Sequence, residues 1–195
     1  MAVKRTPVVG LFVGGKSSRF GGLPKGNLRH PSGVRLIERL LSVVREALPG
    51  ANVVLVGENE AYADLGIPCL TDAPSGIGPL GGLRALLQHA EARGFVSALV
   101  LACDLPHVTP ELVRRLSTEE PEALALAPRE RELWHALTAR YASTARIAVD
   151  LAVDAGEHSL QRLFARFGDG ARELAVNDAE LRALTDWDSP EDMAS

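Results

Sequence analysis

The segment Gly14 to Lys25 (GGKSSRFGGLPK) concentrates the residue types that grip phosphate. Its glycines let backbone N–H groups approach a ligand with no side chain in the way, and Lys16, Arg19 and Lys25 bring positive charge to phosphate oxygens. The combination suits a polyphosphate. It is not a Walker A loop, because Pro24 precedes Lys25 and no Ser or Thr follows to hold magnesium, so P-loop ATPase chemistry is disfavoured.

A second glycine cluster, Gly76 to Gly82 (GIGPLGG), formally satisfies GxGxxG, with Asp104 at about the distance of a ribose-binding acid. A dinucleotide fingerprint opens directly after a strand, whereas Asp72 to Ser75 intervene here, and Pro79 removes an amide from the cradle. The cluster reads instead as a tight loop that starts a helix at Leu80, either admitting substrate to the backbone or simply entering the helix. Asp104, in the tetrapeptide CDLP, follows the apolar run Ala98 to Ala102. A carboxylate at such a strand end can hold Mg²⁺, which takes oxygen ligands alongside substrate phosphates. The competing role, capping the next helix, falls more naturally to Thr109 before Pro110.

Near the end, Asp186 and Asp188 stand two apart, on one side of an extended backbone. They either complete a metal site or cap a terminal helix begun by Ser189-Pro190-Glu191. His30, His89, His107, His135 and His158 lack ligand spacing, so nothing suggests zinc. Ser17 and Ser18 sit in no nucleophile elbow.

These residues need strand ends to position them. Pro7 to Val13 is a continuous apolar run of the kind buried on both faces of a parallel sheet. Val34, Ile37, Leu40, Leu41, Val44 and Leu48 recur at helical spacing until Pro49-Gly50, and Asn52 to Val56 gives the next strand. The first βαβ unit is thus complete, with a right-handed crossover expected. The alternation continues with a short strand near Pro68 to Leu70, a helix over Leu80 to Ala92, a strand over Ala98 to Ala102 and a helix after Pro110. Strands are predicted at Ala123 to Ala127 and Leu137 to Tyr141, and helices at Ala145 to Ala155 and Leu160 to Phe167, with Gly156 and Gly168 as stops. The pattern is α/β and layered. Phosphate-binding loops belong at the carboxyl ends of such strands, where both Gly14 and Asp104 fall.

The chain has 195 residues, 46% apolar and 24% charged, with a net charge of -4. That bounds it to one soluble domain, residues 1–195, with no clean cut inside it. No clustered basic footprint marks it for nucleic acid. No apolar run reaches membrane-spanning length, and two distant cysteines, Cys69 and Cys103, fit a reducing cytoplasm.

Taken together, FVGGKSSRFGGLPKGNL (Phe12 to Leu28), Asp72 with GPLGG (Gly78 to Gly82), CDLP (Cys103 to Pro106) and DSPEDM (Asp188 to Met193) resemble the molybdenum cofactor guanylyltransferases over nearly the whole chain. The resemblance implies a Rossmann-like nucleotidyltransferase fold, a three-layer α/β/α domain with a mostly parallel sheet. It implies transfer of GMP from GTP to molybdopterin with release of pyrophosphate, Mg²⁺ as cofactor, and transient contact with molybdenum enzymes or insertion factors. Carried over by position, Phe12, Val13, Gly14 and Gly15 line the guanine end, Lys25 meets the phosphates, Asp72 borders the nucleotide and Asp104 holds the metal; Gly78 of the second glycine cluster is a further candidate for the nucleotide, and Asp188 for the metal. Arg19, Lys25 and Asp104 form the catalytic set. The double glycine Gly14-Gly15 resembles guanylyl rather than cytidylyl enzymes. The chain differs from the family pattern in reading FVGG for LAGG, Pro24 for an acid, and DWDSPED for NxNTPED, an ending closer to cytidylyltransferase and sugar-nucleotide relatives, and in offering only Asn59 as the asparagine after the second strand. The alternatives are a cytidylyltransferase or other nucleotidyltransferase acting on a small phosphorylated acceptor, or a non-catalytic nucleotide-binding homologue. The family's acceptor-side dipeptide corresponds to His135-Ala136.

Overall fold

The apolar run after Pro7 forms β1 (Val8–Phe12), and every one of its residues is buried, as a strand covered on both faces requires. The structure is a computed structural model and describes residues 3–14 and 23–187. Arg19, Gly15 and Asp188 lie outside the described residues, as does the proposed terminal helix start at Ser189.

A short 3₁₀ turn at Lys25–Asn27 leads into α1 (Leu36–Ala47), β2 (Val53–Val56), a second 3₁₀ turn (Glu60–Leu65) and β3 (Cys69–Leu70). There follow α2 (Pro79–Ala92), β4 (Ser97–Ala102) and α3 (Pro110–Thr118). The second half contributes β5 (Ala125–Ala127), a hairpin of β6 (Arg129–Glu130) and β7 (Leu133–Trp134), and β8 (Thr138–Ala142). The chain continues through α4 (Arg146–Asp154), α5 (Leu160–Phe167), β9 (Ala171–Glu173) and α6 (Asp178–Ala183).

One sheet carries the order β3-β2-β1-β4-β8-β5-β9. Its first four strands run parallel, β8 runs antiparallel to both β4 and β5, and β9 is parallel to β5. Successive residues of β1 face opposite ways. Val8 and Phe12 join the core under α2, α4 and α5, whereas Val9 and Leu11 join the one under α1 and α3. Helices therefore cover both faces, the three-layer α/β architecture that the alternating pattern predicts.

Local chemistry sets the helix ends. Thr109 Oγ1 accepts the Leu112 N–H at 3.3 Å, and Pro110 takes the first helical position of α3, so this helix is capped without Asp104. Pro79 does the same for α2, which starts one residue before the predicted Leu80. The elements that periodicity missed are short. Strands β6 and β7 have two residues each, β9 is a charged ARE segment, and α6 is a six-residue helix held by the Asn177 capping box.

Leu86 of α2 is fully buried in the core it shares with β1, β2 and β4. Leu86→Ala should lower the unfolding free energy by about 2–5 kcal/mol through lost burial and the cavity left behind. Urea denaturation reads this as a lower midpoint with an unchanged slope. A midpoint equal to that of the parent protein would contradict the packing described.

Candidate active site

The parallel strands end on one edge, and the segments leaving them converge there. A cavity of about 650 Å³ opens at that edge. It is bordered by Phe12, Val13 and Gly14 from the end of β1, Lys25 from the 3₁₀ turn, Asp72 after β3, Gly78 before α2 and Asp104 after β4. All the site positions expected from the sequence that are described thus share one cavity, although up to 92 residues separate them along the chain, from Phe12 to Asp104. The open α/β sheet accounts for this, since it places ligands beyond the carboxyl ends of its strands.

Lys25 Nζ lies 2.8 Å from Asp104 Oδ2, with side-chain exposures of only 24% and 13%. Such shielding strengthens the attraction relative to a surface pair and holds both groups at the cavity wall. The end of β2 closes against the first loop. Gly57 has φ of +94°, and a Cβ there would stand 2.9 Å from Gly14 N. Only glycine suits both the conformation and the contact. Asn59 does not border the cavity. Its side chain accepts the Ala61 N–H at 3.0 Å and starts the turn at Glu60–Leu65.

Burial, and then the nearby Glu58 carboxylate, push the Asp72 carboxyl above its ordinary value. Burial pushes the Cys103 thiol beside Asp104 up to about 12, with the Asp104 charge adding to it. This cysteine is therefore a packing residue with little thiolate character.

The far wall comes from the second half of the chain: Trp134, His135, Thr138, Ser159, Gln161 and Asp186. Gln161 holds the hairpin in place through both functions of its amide. The Trp134 N–H donates to Gln161 Oε1 at 3.0 Å, and Gln161 Nε2 donates to the Trp134 carbonyl at 2.7 Å. The Trp134 ring stacks on Phe164 with centroids 4.7 Å apart, and Arg129 lies over it. Burial lowers the His135 pKa, partly offset by Glu130 and Asp186, which favours the neutral imidazole. No sequence signal marked Gln161, because its partner strand is only two residues long. Trp187 is buried with Leu28 and Leu36, and its backbone N–H donates to the Asp104 carbonyl at 3.1 Å. His30 and His107 meet edge to face at 6.1 Å, and among the described residues no three His, Cys, Asp or Glu side chains cluster to hold a metal. Nor is any helix among them long and apolar enough to cross a membrane.

A mostly parallel sheet that brings a lysine and an aspartate together on the wall of one cleft at its carboxyl edge, beside glycine backbone, has the organisation of a nucleotide-binding α/β fold. Residues 10–172 match the family model of the MobA-like NTP transferase domain, and the chain belongs to that family. It is 32% identical over 177 residues to a molybdenum cofactor guanylyltransferase of Pseudomonas fluorescens, spanning 89% of this chain and 86% of the relative. A solved structure of molybdopterin-guanine dinucleotide biosynthesis protein A from Archaeoglobus fulgidus superposes with a TM-score of 0.74 at 26% identity, over 95% and 94% of the two chains. The fold alone is shared with 2-C-methyl-D-erythritol 4-phosphate cytidylyltransferase from Thermus thermophilus, at a TM-score of 0.67 and 19% identity over 97% and 96%.

The raised Asp72 pKa has a consequence for stability. Its carboxyl ionises more readily in the unfolded chain, so above the unfolded value its charge destabilises the free fold, and this cost disappears as pH falls through the carboxylate range. Asp72→Asn should therefore melt at a higher temperature than the parent at pH 7, with the gap closing toward acid. A variant that melts lower at pH 7 would contradict this account of Asp72.

Proposed function

We propose that this chain transfers GMP from GTP to molybdopterin, forming molybdopterin guanine dinucleotide and releasing pyrophosphate. The observation that carries the reading is the 2.8 Å Lys25–Asp104 contact on the wall of the cavity, in a chain 32% identical to a molybdenum cofactor guanylyltransferase. A terminal phosphate oxygen of the acceptor attacks the α-phosphorus of GTP. The bond from that phosphorus to the oxygen bridging the β-phosphate breaks, and pyrophosphate leaves. A phosphate nucleophile is already anionic at neutral pH, so no protein base is needed. Positioning and charge supply the rate. Lys25 offsets negative charge on the phosphates, and we assign Arg19 the same task. Phe12, Val13, Gly14 and Gly15 take the guanine end, and Asp72 and Gly78 border the nucleotide. The far wall, from Trp134 to Gln161, takes the acceptor.

Magnesium fits the donors present. Mg²⁺ uses one or two carboxylates and completes its shell with water and substrate phosphate, and Asp104 and Asp186 both border the cavity. Asp104 would hold it, with Asp188 as a second carboxylate. When bound, it supplies Lewis-acid charge to the phosphate oxygens.

The test is pyrophosphate release from GTP, magnesium and molybdopterin. The parent protein should turn over, and Asp104→Ala should lose several kcal/mol of transition-state stabilisation, on the order of 10²-fold or more in rate. Near-full turnover by that variant, with magnesium still required, would overturn the assignment. For the base, GTP with magnesium should raise the melting temperature while CTP leaves it unchanged. The opposite pattern would make the chain a cytidylyltransferase.

A further inference from the structure

The Lys25 turn and the Asp104 loop arrive at the cavity from different strands, and a residue outside the cavity braces the first of them against the core beside the second. Tyr62 does not border the cavity. It lies 1% exposed in the turn Glu60–Leu65, between β2 and β3. Its Oη accepts the Gly26 N–H at 3.0 Å, and it shares one buried core with Cys103. Gly26 directly follows Lys25, and Cys103 directly precedes Asp104. From these contacts we infer that Tyr62 is a positioning residue for the transfer reaction: its phenol oxygen fastens the segment bearing Lys25 to the core that also holds Cys103, next to Asp104, and so sets how the two charges face the substrate phosphates. The inference rests on the nucleotidyl-transfer reading for its catalytic consequence, and on the structure alone for the tether.

Two further observations point the same way. A Cβ on Gly26 would stand 2.7 Å from Tyr62 Oη, so the residue after Lys25 must be glycine for the hydroxyl to reach the backbone amide. The same two turns are joined a second time on the solvent side. Arg35 donates to Asn27 Oδ1 at 3.4 Å and to Asp64 Oδ2 at 2.6 Å, bridging the end of the Lys25 turn to the turn that carries Tyr62. Phenylalanine would fill the same space, so the hydroxyl is there for its partner, the Gly26 amide, which directly follows Lys25.

Tyr62→Phe in the full chain is the test. The free variant should keep the parent fold by circular dichroism, while the Gly26 amide, followed by NMR, exchanges with solvent at least tenfold faster. With GTP, magnesium and molybdopterin, kcat should fall tenfold or more while KM for GTP moves less than threefold, because the tether sets geometry rather than adding a contact. A Gly26 amide that exchanges at the parent rate, or a kcat within twofold of the parent, overturns the proposal. Should Tyr62→Phe itself prove unstable, Gly26→Ala reads the same contact. Alone it should melt lower than the parent because its methyl meets the hydroxyl, and Gly26→Ala combined with Tyr62→Phe should melt higher than Gly26→Ala alone. A double variant no better than the single overturns the tether. If the parent protein releases no pyrophosphate, the transfer reading fails by itself, and the catalytic role of Tyr62 fails with it. The exchange and rescue experiments still decide whether the tether exists.

Discussion

Lys25 and Asp104 stand 79 residues apart in sequence and 2.8 Å apart in space, and the arrangement of the site depends on that contact. An aspartate partly withdrawn from water needs a counter-charge, and a lysine held against it is kept from swinging into solvent. Each group meets the other's need before any ligand arrives. The requirement on the fold is then geometric: the end of β1 and the end of β4 must lie side by side at one level. Direct parallel pairing of these two strands, with Phe12 opposite Ala102, achieves it.

The rest of the molecule keeps that edge open and in register. Helices α1 and α3 cover one face of the sheet, and α2, α4 and α5 cover the other, so the strands remain buried while their carboxyl ends stay accessible. Gly57 lets the β2 end touch the Gly14 backbone, and Trp187 draws the C-terminal segment back across Leu28, Leu36 and the Asp104 carbonyl. The antiparallel strand β8 turns the second half of the chain back against β4 and sets Trp134 to Thr138 opposite the glycine-rich side. One wall is therefore built by the parallel half of the sheet. The other is built by a hairpin and the start of α5.

The sequence was most legible where one physical signal dominated. The unbroken apolar runs of β1 and β4 and the helical spacing from Ile37 to Val44 leave little choice of structure, and Thr109-Pro110 marks the start of α3 chemically. Lys25 and Asp104 could be singled out because each follows a strand in a glycine- or proline-bearing loop. What stayed hidden depends on contacts between distant segments. Gln161 is an unremarked helix residue until its amide meets the Trp134 backbone, and Tyr62 reads as core until its hydroxyl meets Gly26. Asn59 illustrates the reverse: the one asparagine the chain offers after its second strand is used to start a turn. Residue type and spacing report what a chain can do locally, but such cross-chain pairings appear only once the strands are in register.

The central claim is that Lys25 and Asp104 act as one unit on the phosphates. A double-mutant cycle measures this most directly, using pyrophosphate release from GTP, magnesium and molybdopterin by the parent, Lys25→Ala, Asp104→Ala and the double variant. If the two side chains act together, the double variant should be little slower than the slower single one. Losses that multiply, so that the double variant falls by the product of the two single effects, would show that the residues act independently and would contradict the account.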